Sequence, residues 1–374
     1  MVKVSVVVPN FNHARFLRRR LDSILEQSYQ DFEIILLDDA STDESPAILT
    51  EYAGNPRVTA LLINALNSGS SFQQWDRGVS RAQGDYVWIA ESDDWCLPNF
   101  LERLVSELEA DPRVCIAACR STLVDESDTV IGDSADDQES AAGSVRWRES
   151  FRCSGLEECR RFMTICNTLP NASAVLFRRA LFKTVGGANT DLQLCGDWLT
   201  WVKILLSSPE ARLAYVAEPL NRMRSHPATV RDRLRNRLLI ESFAVLGEID
   251  ARVTLTPEER EVALEARCRD WSWQILKNLL DVNAQQGTLA AAQQHDPHVF
   301  ARLARHLGNW GAEQDRGMNW MKGQLADRER DVAWLKEHLE DRERDVAWFK
   351  DQLADRERTL AELQQQRPNG KAKK

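Results

Sequence analysis

The feature that most constrains this chain is the alternation of two apolar patterns along its first hundred or so residues. Runs rich in Val, Ile and Leu begin at Val2, Phe32, Val58 and Tyr86, and each precedes a segment whose apolar residues recur at helical spacing. Continuous apolar runs are typical of strands buried on both faces, and strands that alternate with helices form parallel sheets with helices on both sides. The pattern predicts an α/β fold with a mainly parallel sheet flanked by helices.

Polar residues follow three of the predicted strands. They are Asn10 after the first strand, Asp38 and Asp39 after the second, and Glu91, Asp93 and Asp94 after the fourth. Because ligands of open α/β sheets bind beyond the carboxyl ends of the strands, we expect these side chains at one edge of the sheet. Crowded carboxylates keep their charge at low cost when a divalent cation shares it, and oxygen ligands suit Mg²⁺ or Mn²⁺. The pattern indicates a site for a metal and a diphosphate. An acidic loop that caps the helix opened by Pro98 explains this last segment equally well.

Composition excludes several classes of protein. The 374-residue chain has a net charge of −9, whereas a general nucleic-acid binder needs a basic face. No apolar run approaches the roughly 18 residues of a membrane span, and Met1 leads directly into a strand pattern rather than a signal peptide. The eight cysteines include no CxxC pair, so we expect reduced thiols, mostly in the core. These features predict a cytoplasmic protein without a transmembrane segment that does not bind nucleic acid.

The common nucleotide-binding motifs are absent, since the sequence contains neither GxGxxG after its first strand nor GxxxxGK[ST]. Carboxylates and a metal would therefore hold a nucleotide here. The segments VSVVVPNFNHARFLRRRLDSILEQSYQDFEIILLDDASTDES and GVSRAQGDYVWIAESDDW resemble the inverting glycosyltransferases of family 2, which have the GT-A fold. The resemblance extends from about residue 2 to residue 226. It implies transfer of a sugar from a nucleotide-sugar to an acceptor hydroxyl, with inversion at the anomeric carbon.

The resemblance also implies which residues bind the nucleotide-sugar. Asp39, together with Asp38, matches the acid pair that contacts the nucleobase. Pro9, Asn10 and Asn67 lie in matching segments and are expected to contribute to the same site.

A second set of residues matches the parts of the family that surround the metal and the diphosphate. Asp93 and Asp94, with Glu91, match the DxD-type motif that contacts ribose and metal. Glu91 stands where the family often has Asp, which leaves the ligand set open. Arg224 and His226 match an Arg-x-His element beside the leaving diphosphate, where positive charge stabilises the transition state. The resemblance implies that Asp93, Asp94 and His226 hold Mg²⁺ or Mn²⁺, and that Asp93, Arg224 and His226 contact the donor.

Asp197 begins a segment with a helical apolar face, CGDWLTWVKILL. An aspartate at this place most often caps the helix by accepting hydrogen bonds from free backbone amides. The segment also resembles the family's acid-Asp-Trp motif, which implies that Asp197 is the general base. A base must lie within about 3 Å of the attacking hydroxyl.

Two residues depart from the family pattern. Asp76 stands where asparagine is usual and would place a further negative charge near a diphosphate, and Ala40 replaces the usual glycine after the acid pair. We expect neither departure to abolish activity.

The remaining segments are less informative about chemistry. Residues 125–143 are acidic and small and are predicted to form a mobile loop, which in this family often borders the acceptor. Residues 171–178 have a strand pattern. From residue 231 to about 315 nearly every window is helical, and its core is expected to include Trp271, Trp273, Ile275 and Leu279.

The C-terminal part of the chain contains a repeat of 14 residues, two heptads long, that begins at Trp320, Trp334 and Trp348. In one series, apolar residues recur at every seventh position. In a second series with the same period, apolar residues alternate with arginines. This predicts a coiled coil that binds another copy or a partner protein, and a single solvated helix is the alternative.

The predicted organisation is a GT-A domain over residues 1–230, a helical region over 231–315, a coiled coil over 316–365 and a disordered basic tail over 366–374. The expected partners are a nucleotide-sugar and a glycan or lipid-linked acceptor, with a location in the cytoplasm or at the inner membrane face. The alternative hypothesis is a glycosyltransferase-like scaffold without catalysis that acts through its coiled coil.

Overall fold

The computed structural model describes residues 2–226, 235–276 and 285–307, and single helical positions between residues 330 and 351. Met1–His306 form one compact unit and Leu307–Lys374 form another. In the second unit the described positions, such as Arg330 and Trp348, are helical and exposed. The apolar and arginine positions of the predicted coiled coil, and the basic tail, lie outside the described residues. The coiled coil and the predicted domain boundaries stay predictions.

The first part of the chain alternates strands and helices as the sequence predicted. The elements are β1 (Val4–Asn10), α1 (Ala14–Leu25), β2 (Phe32–Asp38), α2 (Ser45–Tyr52), β3 (Val58–Ile63), α3 (Ser71–Arg81) and β4 (Tyr86–Ile89). The four strands are parallel in the order β3-β2-β1-β4. All residues of β1, β2 and β4 are buried, which is why these strands are continuous apolar runs.

The next part of the chain completes a ten-stranded sheet. Its elements are β5 (Trp95–Cys96), α4 (Phe100–Ala110), β6 (Val114–Val124), β7 (Val130–Asp133), α5 (Ser134–Ala142), β8 (Phe151–Ser154), α6 (Gly155–Glu158), β9 (Val175–Arg178), α7 (Arg179–Thr184), α8 (Gly196–Leu205) and β10 (Arg212–Arg224). The order continues β4-β9-β6-β10-β5, with β7 on β6 and β8 on β10. Here only β6 and β10 pair in parallel, so the complete sheet is mixed.

The register of the sheet brings the polar strand ends together. Asn10 and Asp38 are partners in the pairing of β1 with β2, and β4 lies on the other side of β1. Helix α3 lies very close to β1, because a Cβ added to Gly78 would be 2.3 Å from Cγ1 of Val7. The expectation that the acids of different strands share one edge is therefore confirmed.

The helices that follow the sheet include α9 (Arg235–Val253), α10 (Pro257–Leu276) and α11 (Gln285–Gln293), and residues 299–307 are helical as well. The predicted helical character of this region is confirmed for these residues. Trp271 is fully buried as expected, but Trp273 is 49% exposed because it lies on the outer face of α10. Ile275 is half-buried, and Leu279 lies outside the described residues.

The prediction of a mobile loop over residues 125–143 was wrong. The segment forms β7, which pairs antiparallel with β6, and then α5. The carboxylate of Asp133 caps α5 by accepting a hydrogen bond from the Ala135 amide, and Ser134, Ala135 and Gln138 are buried. Because the buried residues of α5 are small or polar, the helix lacks the apolar stripe that usually indicates a helix in a sequence.

Two other expectations can be compared with the structure. The eight cysteines all lie in the described part of the chain, where none forms a disulfide, and six are buried. In the described parts of the chain, no helix combines the length and the apolar character needed to cross a membrane.

Ala40, the residue in place of the family's glycine, has a φ of 60°. This left-handed conformation costs an L-residue about 1–2 kcal/mol, whereas glycine adopts it freely but loses more conformational entropy on folding. We therefore predict that Ala40→Gly raises the free energy of unfolding by about 0.5–1 kcal/mol in urea titrations.

Ala53 provides the matched control, because it has a helical φ of −60°. Ala53→Gly should lower the free energy of unfolding by about 0.5–1 kcal/mol. An Ala40→Gly variant that is no more stable than wild type would show that Ala40 is not strained.

Candidate active site

The structure brings two imidazoles and one carboxylate together at the carboxyl edge of the sheet. Nε2 of His226 lies 3.2 Å from Oδ2 of Asp93, and the rings of His13 and His226 meet edge to face at 5.5 Å. One ligand atom from each of His13, Asp93 and His226 lies within 4.8 Å of the other two. Imidazole nitrogen and carboxylate oxygen are suitable ligands for divalent ions, so this donor set fits the expected metal.

Each member of this cluster follows a different strand. His13 lies between β1 and α1, Asp93 follows β4, and His226 follows β10. Nδ1 of His13 lies 2.9 Å from Oγ of Ser92, which leaves its Nε2 available as a ligand. Because three parallel or neighbouring strands end at this edge, residues distant in sequence meet here.

The surroundings hold the cluster in a form that can bind a cation. Burial lowers the pKa of His13, which favours its neutral, metal-binding form. Burial opposes ionisation of Asp93, but the hydrogen bond with His226 and the charge of the imidazoles lower the pKa of Asp93 overall. The same hydrogen bond raises the pKa of His226. Asp93 is therefore ionised and faces two ring nitrogens.

Asp94 has a different role from the metal ligand that the resemblance implied. Its Oδ2 accepts a hydrogen bond from Nδ2 of Asn171 at 2.8 Å, and its Oδ1 accepts one from the Arg224 amide at 2.8 Å. The side chain is buried, and burial followed by the charge of Asp93 raises the pKa of Asp94 to about 6. Both oxygens bind the protein, so Asp94 joins the end of β4 to β10 and stays outside the cluster of candidate ligands.

Glu91, the residue that departs from the DxD pattern, also accepts a hydrogen bond from within the protein. Its Oε1 accepts a hydrogen bond from the Trp75 indole at 2.9 Å. Burial and then the nearby charge of Asp93 raise the pKa of Glu91 to about 8. Glu91 is therefore largely uncharged at neutral pH, and Asp93 is the acid of this motif that lies beside the two imidazoles.

The Arg224 guanidinium is held by three hydrogen bonds within the protein, and its expected contact with a diphosphate stays a prediction. Its Nε donates to the Asp93 carbonyl at 2.8 Å, and its two terminal nitrogens donate to the Asp125 carbonyl and to Oδ1 of Asp128, each at 2.6 Å. The guanidinium also lies 4.5 Å from the Phe16 ring. A contact with diphosphate would have to replace one of these bonds, so the geometry favours Arg224 as a clamp on the turn that carries Asp93.

The acid pair after β2 lies in a closed polar network. Asp38 accepts hydrogen bonds from Nδ2 of Asn10 and from the Ser41 amide, both at 2.9 Å. Pro9 contributes backbone to the same edge, where it pairs with Leu37 in the register of β1 with β2. These contacts fix the strand ends and leave Asp38 fully buried.

Asp39 is held by donors from the segment between β3 and α3. They are Nδ2 of Asn64 at 2.5 Å, the Ser68 amide at 2.9 Å, Oγ of Ser68 at 2.7 Å and Nε2 of Gln74 at 2.9 Å. Asn67 donates to the Asp39 carbonyl at 3.0 Å. A nucleobase that bonds to Asp39 must compete with these donors.

Asp197 lies in the first turn of α8, and the residue at the N-cap position is Cys195. Oδ1 of Asp197 accepts a hydrogen bond from the Trp198 amide at 2.7 Å, and Oδ2 accepts one from Nδ2 of Asn167 at 3.0 Å. The residue is only partly buried.

One short segment contacts both Asp197 and the acidic motif. Asn167 bonds to Asp197, and Asn171, four residues later, bonds to Asp94. Four residues span about 14 Å at most when fully extended. The candidate base is therefore held near the end of β4 by a physical link.

Asp76, the second departure from the family pattern, binds the chain that leads to α8. Its Oδ1 accepts a hydrogen bond from the Ala188 amide at 2.9 Å, and a Cβ on Gly187 would lie 2.5 Å from the same oxygen. Burial raises the pKa of Asp76. The Asp76 carboxylate therefore has a hydrogen-bond partner within the protein.

Three functional residues were missed from the sequence: His13, Asn167 and Asn171. His13 follows the first predicted strand, and that position was a usable signal. No pattern in the sequence identifies the two asparagines, because their partners Asp197 and Asp94 lie 30 and 77 residues away.

Comparison with known proteins agrees with this architecture. Residues 5–161 match the family model for glycosyl transferase family 2. The chain is 39% identical over 111 residues to the glycosyltransferase GlyG of Streptococcus pneumoniae, a match that covers 29% of this chain and 36% of GlyG. It is 30% identical over 197 residues to a PGL/p-HBAD biosynthesis glycosyltransferase of Mycobacterium bovis, covering 52% of this chain and 66% of the relative. The chain thus spans less than two thirds of these relatives.

Solved structures share the fold at low sequence identity. Staphylococcus aureus TarS 1–349 in complex with UDP superposes with a TM-score of 0.62 at 16% identity, covering 84% of this chain and 92% of TarS 1–349. A Pyrobaculum calidifontis mannosyltransferase in complex with GDP-Man and Mn²⁺ superposes with a TM-score of 0.50 at 20% identity, covering 82% of this chain and 85% of the mannosyltransferase. The mixed α/β architecture is therefore the GT-A fold that the resemblance predicted.

The raised pKa of Glu91 generates a prediction about pH. The pKa of about 8 in the folded protein lies above the ordinary value of 4.5, so the stability contributed by the neutral group is complete below pH 4.5 and is lost as the pH rises through 8. Glu91→Gln cannot ionise and keeps an acceptor for Trp75. In metal-free buffer its stability advantage over wild type should grow between about pH 5 and pH 9, by about 1–3 kcal/mol after allowance for solvent screening.

Thermal unfolding at several pH values measures this difference. The exposed residue Glu44 supplies the control, and Glu44→Gln should show no growth with pH. A constant difference between Glu91→Gln and wild type across this range would mean that Glu91 is ionised throughout.

Proposed function

Because residues 5–161 form a glycosyltransferase family 2 domain, we propose that this chain is an enzyme that transfers a sugar from a nucleotide-sugar to an acceptor hydroxyl with inversion. The observation that carries the proposal is the cluster of His13, Asp93 and His226 at the carboxyl edge of the sheet. A cation-binding cluster at this edge is suited to a diphosphate, and the partly buried Asp197 is linked to the same edge.

The cluster would hold a divalent metal through Asp93, His226 and His13. Such a metal supplies positive charge that stabilises a departing nucleoside diphosphate. Two imidazoles in the donor set favour Mn²⁺ over Mg²⁺, since Mg²⁺ prefers oxygen ligands. The proposal therefore includes Mn²⁺ as the working ion.

Asp197 is the proposed general base. Its carboxylate would accept the proton of the acceptor hydroxyl while the hydroxyl oxygen attacks the anomeric carbon from the face opposite the leaving group. The Trp198 amide and Asn167 orient the carboxylate, and the first turn of α8 favours its charged form. A partly buried carboxylate that is oriented by two hydrogen bonds meets the requirements of this step.

The nucleotide and the acceptor are proposed by class. Asp38, Asp39, Asn10 and Asn67 form the polar edge where the base and ribose would lie, with UDP-sugars and GDP-sugars as the donors to test first. TarS 1–349 has been solved in complex with UDP-GlcNAc, and the mannosyltransferase in complex with GDP-Man. The proposed acceptor is a glycan or a lipid-linked glycan in polysaccharide or glycoconjugate synthesis, reached from the cytoplasm or the inner membrane face.

No observation on the described residues favours the scaffold hypothesis over catalysis. A scaffold has no need of an ionised carboxylate between two imidazoles. The C-terminal repeats remain a proposed coiled coil for self-association or partner binding.

The experiment that tests the proposed function replaces the base. Asp197→Asn keeps the size and an acceptor for Asn167 but cannot accept the proton. We predict that it lowers kcat for sugar transfer by about 10²–10⁴-fold, while the dissociation constant of the nucleotide-sugar changes by less than about threefold. Transfer assays with a panel of donors and acceptors, paired with calorimetric binding, measure the two quantities.

Asp191→Asn is the matched control, because Asp191 is exposed and precedes the same helix. It should leave kcat unchanged. Near-normal turnover in Asp197→Asn would remove Asp197 as the base.

A further inference from the structure

The segment that leads into α8 is bound by a carboxylate from a helix outside the family match. Glu241 on α9 accepts backbone hydrogen bonds from Gln193 at 2.9 Å and from Leu194 and Cys195, both at 2.8 Å. Glu241 is buried, and Nε of Arg237 lies 2.7 Å from its Oε1. Three consecutive amides therefore converge on one buried carboxylate.

These amides lie immediately before the candidate base. Cys195 is the N-cap residue of α8 and makes no side-chain capping bond of its own. These three amides belong to the N-cap residue and the two residues before it, so α8 itself offers them no acceptor, and one must come from elsewhere. Glu241 supplies it from 46 residues further along the chain, and Asp197 follows two residues after Cys195.

A second residue of the helices after the sheet, Arg267, contacts the neighbours of Asp197. Arg267 on α10 is buried, donates to the carbonyls of Ser242 and Thr164, and lies 5.6 Å from the Trp198 ring. Thr164 begins the segment whose Asn167 bonds to Asp197. The helices thus contact both the residue after Asp197 and the segment that supplies its hydrogen-bond donor.

We propose that Glu241 is a positioning residue for Asp197, so that the helices after the sheet complete the active site. This inference rests on the proposed function for the role of Asp197. The physical reason is that a carboxylate is the acceptor best suited to three converging amides, and a general base must be placed to within a fraction of an ångström. The metal-binding cluster lies on other elements and does not depend on this contact.

Glu241→Gln in the full-length protein tests the inference. The amide group of Gln replaces one oxygen by a donor that opposes the converging N–H groups, so the start of α8 should shift. We predict a fall in kcat of about 10–100-fold, with the dissociation constant of the nucleoside diphosphate in the presence of Mn²⁺ within about twofold of wild type. A role in stability alone would instead reduce the binding stoichiometry and kcat together.

Glu248→Gln is the matched control, because Glu248 lies on the same helix and pairs with Arg252 four residues away. It should leave kcat unchanged. If Glu241→Gln does not fold, Glu241→Asp, which keeps the charge and shortens the side chain, replaces it with the same expected split between kcat and nucleotide binding.

Hydrogen exchange followed by mass spectrometry gives a readout that needs no catalysis. The peptide that contains Gln193, Leu194 and Cys195 should exchange at least about tenfold faster in Glu241→Gln than in wild type and Glu248→Gln. Unchanged exchange, or a kcat within twofold of wild type, overturns the inference. If wild type transfers no sugar from any donor, the proposed function fails, and the exchange result still decides whether Glu241 holds this segment.

Discussion

The site depends on how the fold accommodates three carboxyl groups within four residues at the end of β4. Each of the three carboxyl groups lies in a different environment. Glu91 is kept largely uncharged by burial and bonds to Trp75, and Asp94 bonds to Asn171 and to the amide of β10. Asp93 remains ionised beside two imidazoles. The neutral Glu91 removes one of the three charges, hydrogen bonds offset the charge of Asp94, and the Asp93 carboxylate is left for a cation.

The same contacts join the two halves of the sheet. Asp94 bonds on one side to the strand that ends in Arg224 and on the other to the segment before β9, while the Arg224 guanidinium holds the Asp93 carbonyl. The parallel strands β1–β4 supply the edge where a nucleotide would lie, and the mixed part of the sheet supplies His226 and the link to Asp197. A candidate metal cluster and a candidate base are thereby brought to one edge from segments far apart in the chain.

The parts of the fold and of the site that depend on local sequence patterns could be predicted from the sequence. The buried strands, their order of alternation and the acids at their ends, Asp93 among them, follow from apolar runs and from the geometry of parallel sheets. His226 was predicted only from the resemblance of its Arg-x-His element to the family's. His13, Asn167 and the clamp role of Arg224 depend on which partner a side chain meets, and those partners come from distant strands. Residues 125–143 were misjudged for another reason, because a helix that packs through Ser134 and Ala135 has no apolar stripe.

The central claim is that His13 and Asp93 hold a metal that is needed for nucleotide binding. Calorimetric titration of UDP and GDP with and without Mn²⁺, on wild type, His13→Ala and Asp93→Asn, tests it most directly. Asp85→Asn, at the opposite end of β4, is the control. The account predicts metal-dependent binding of one nucleotide in wild type and in the control, and a loss of affinity of at least about tenfold in both site variants. Binding that is unaffected by Mn²⁺ or by both site substitutions would contradict it.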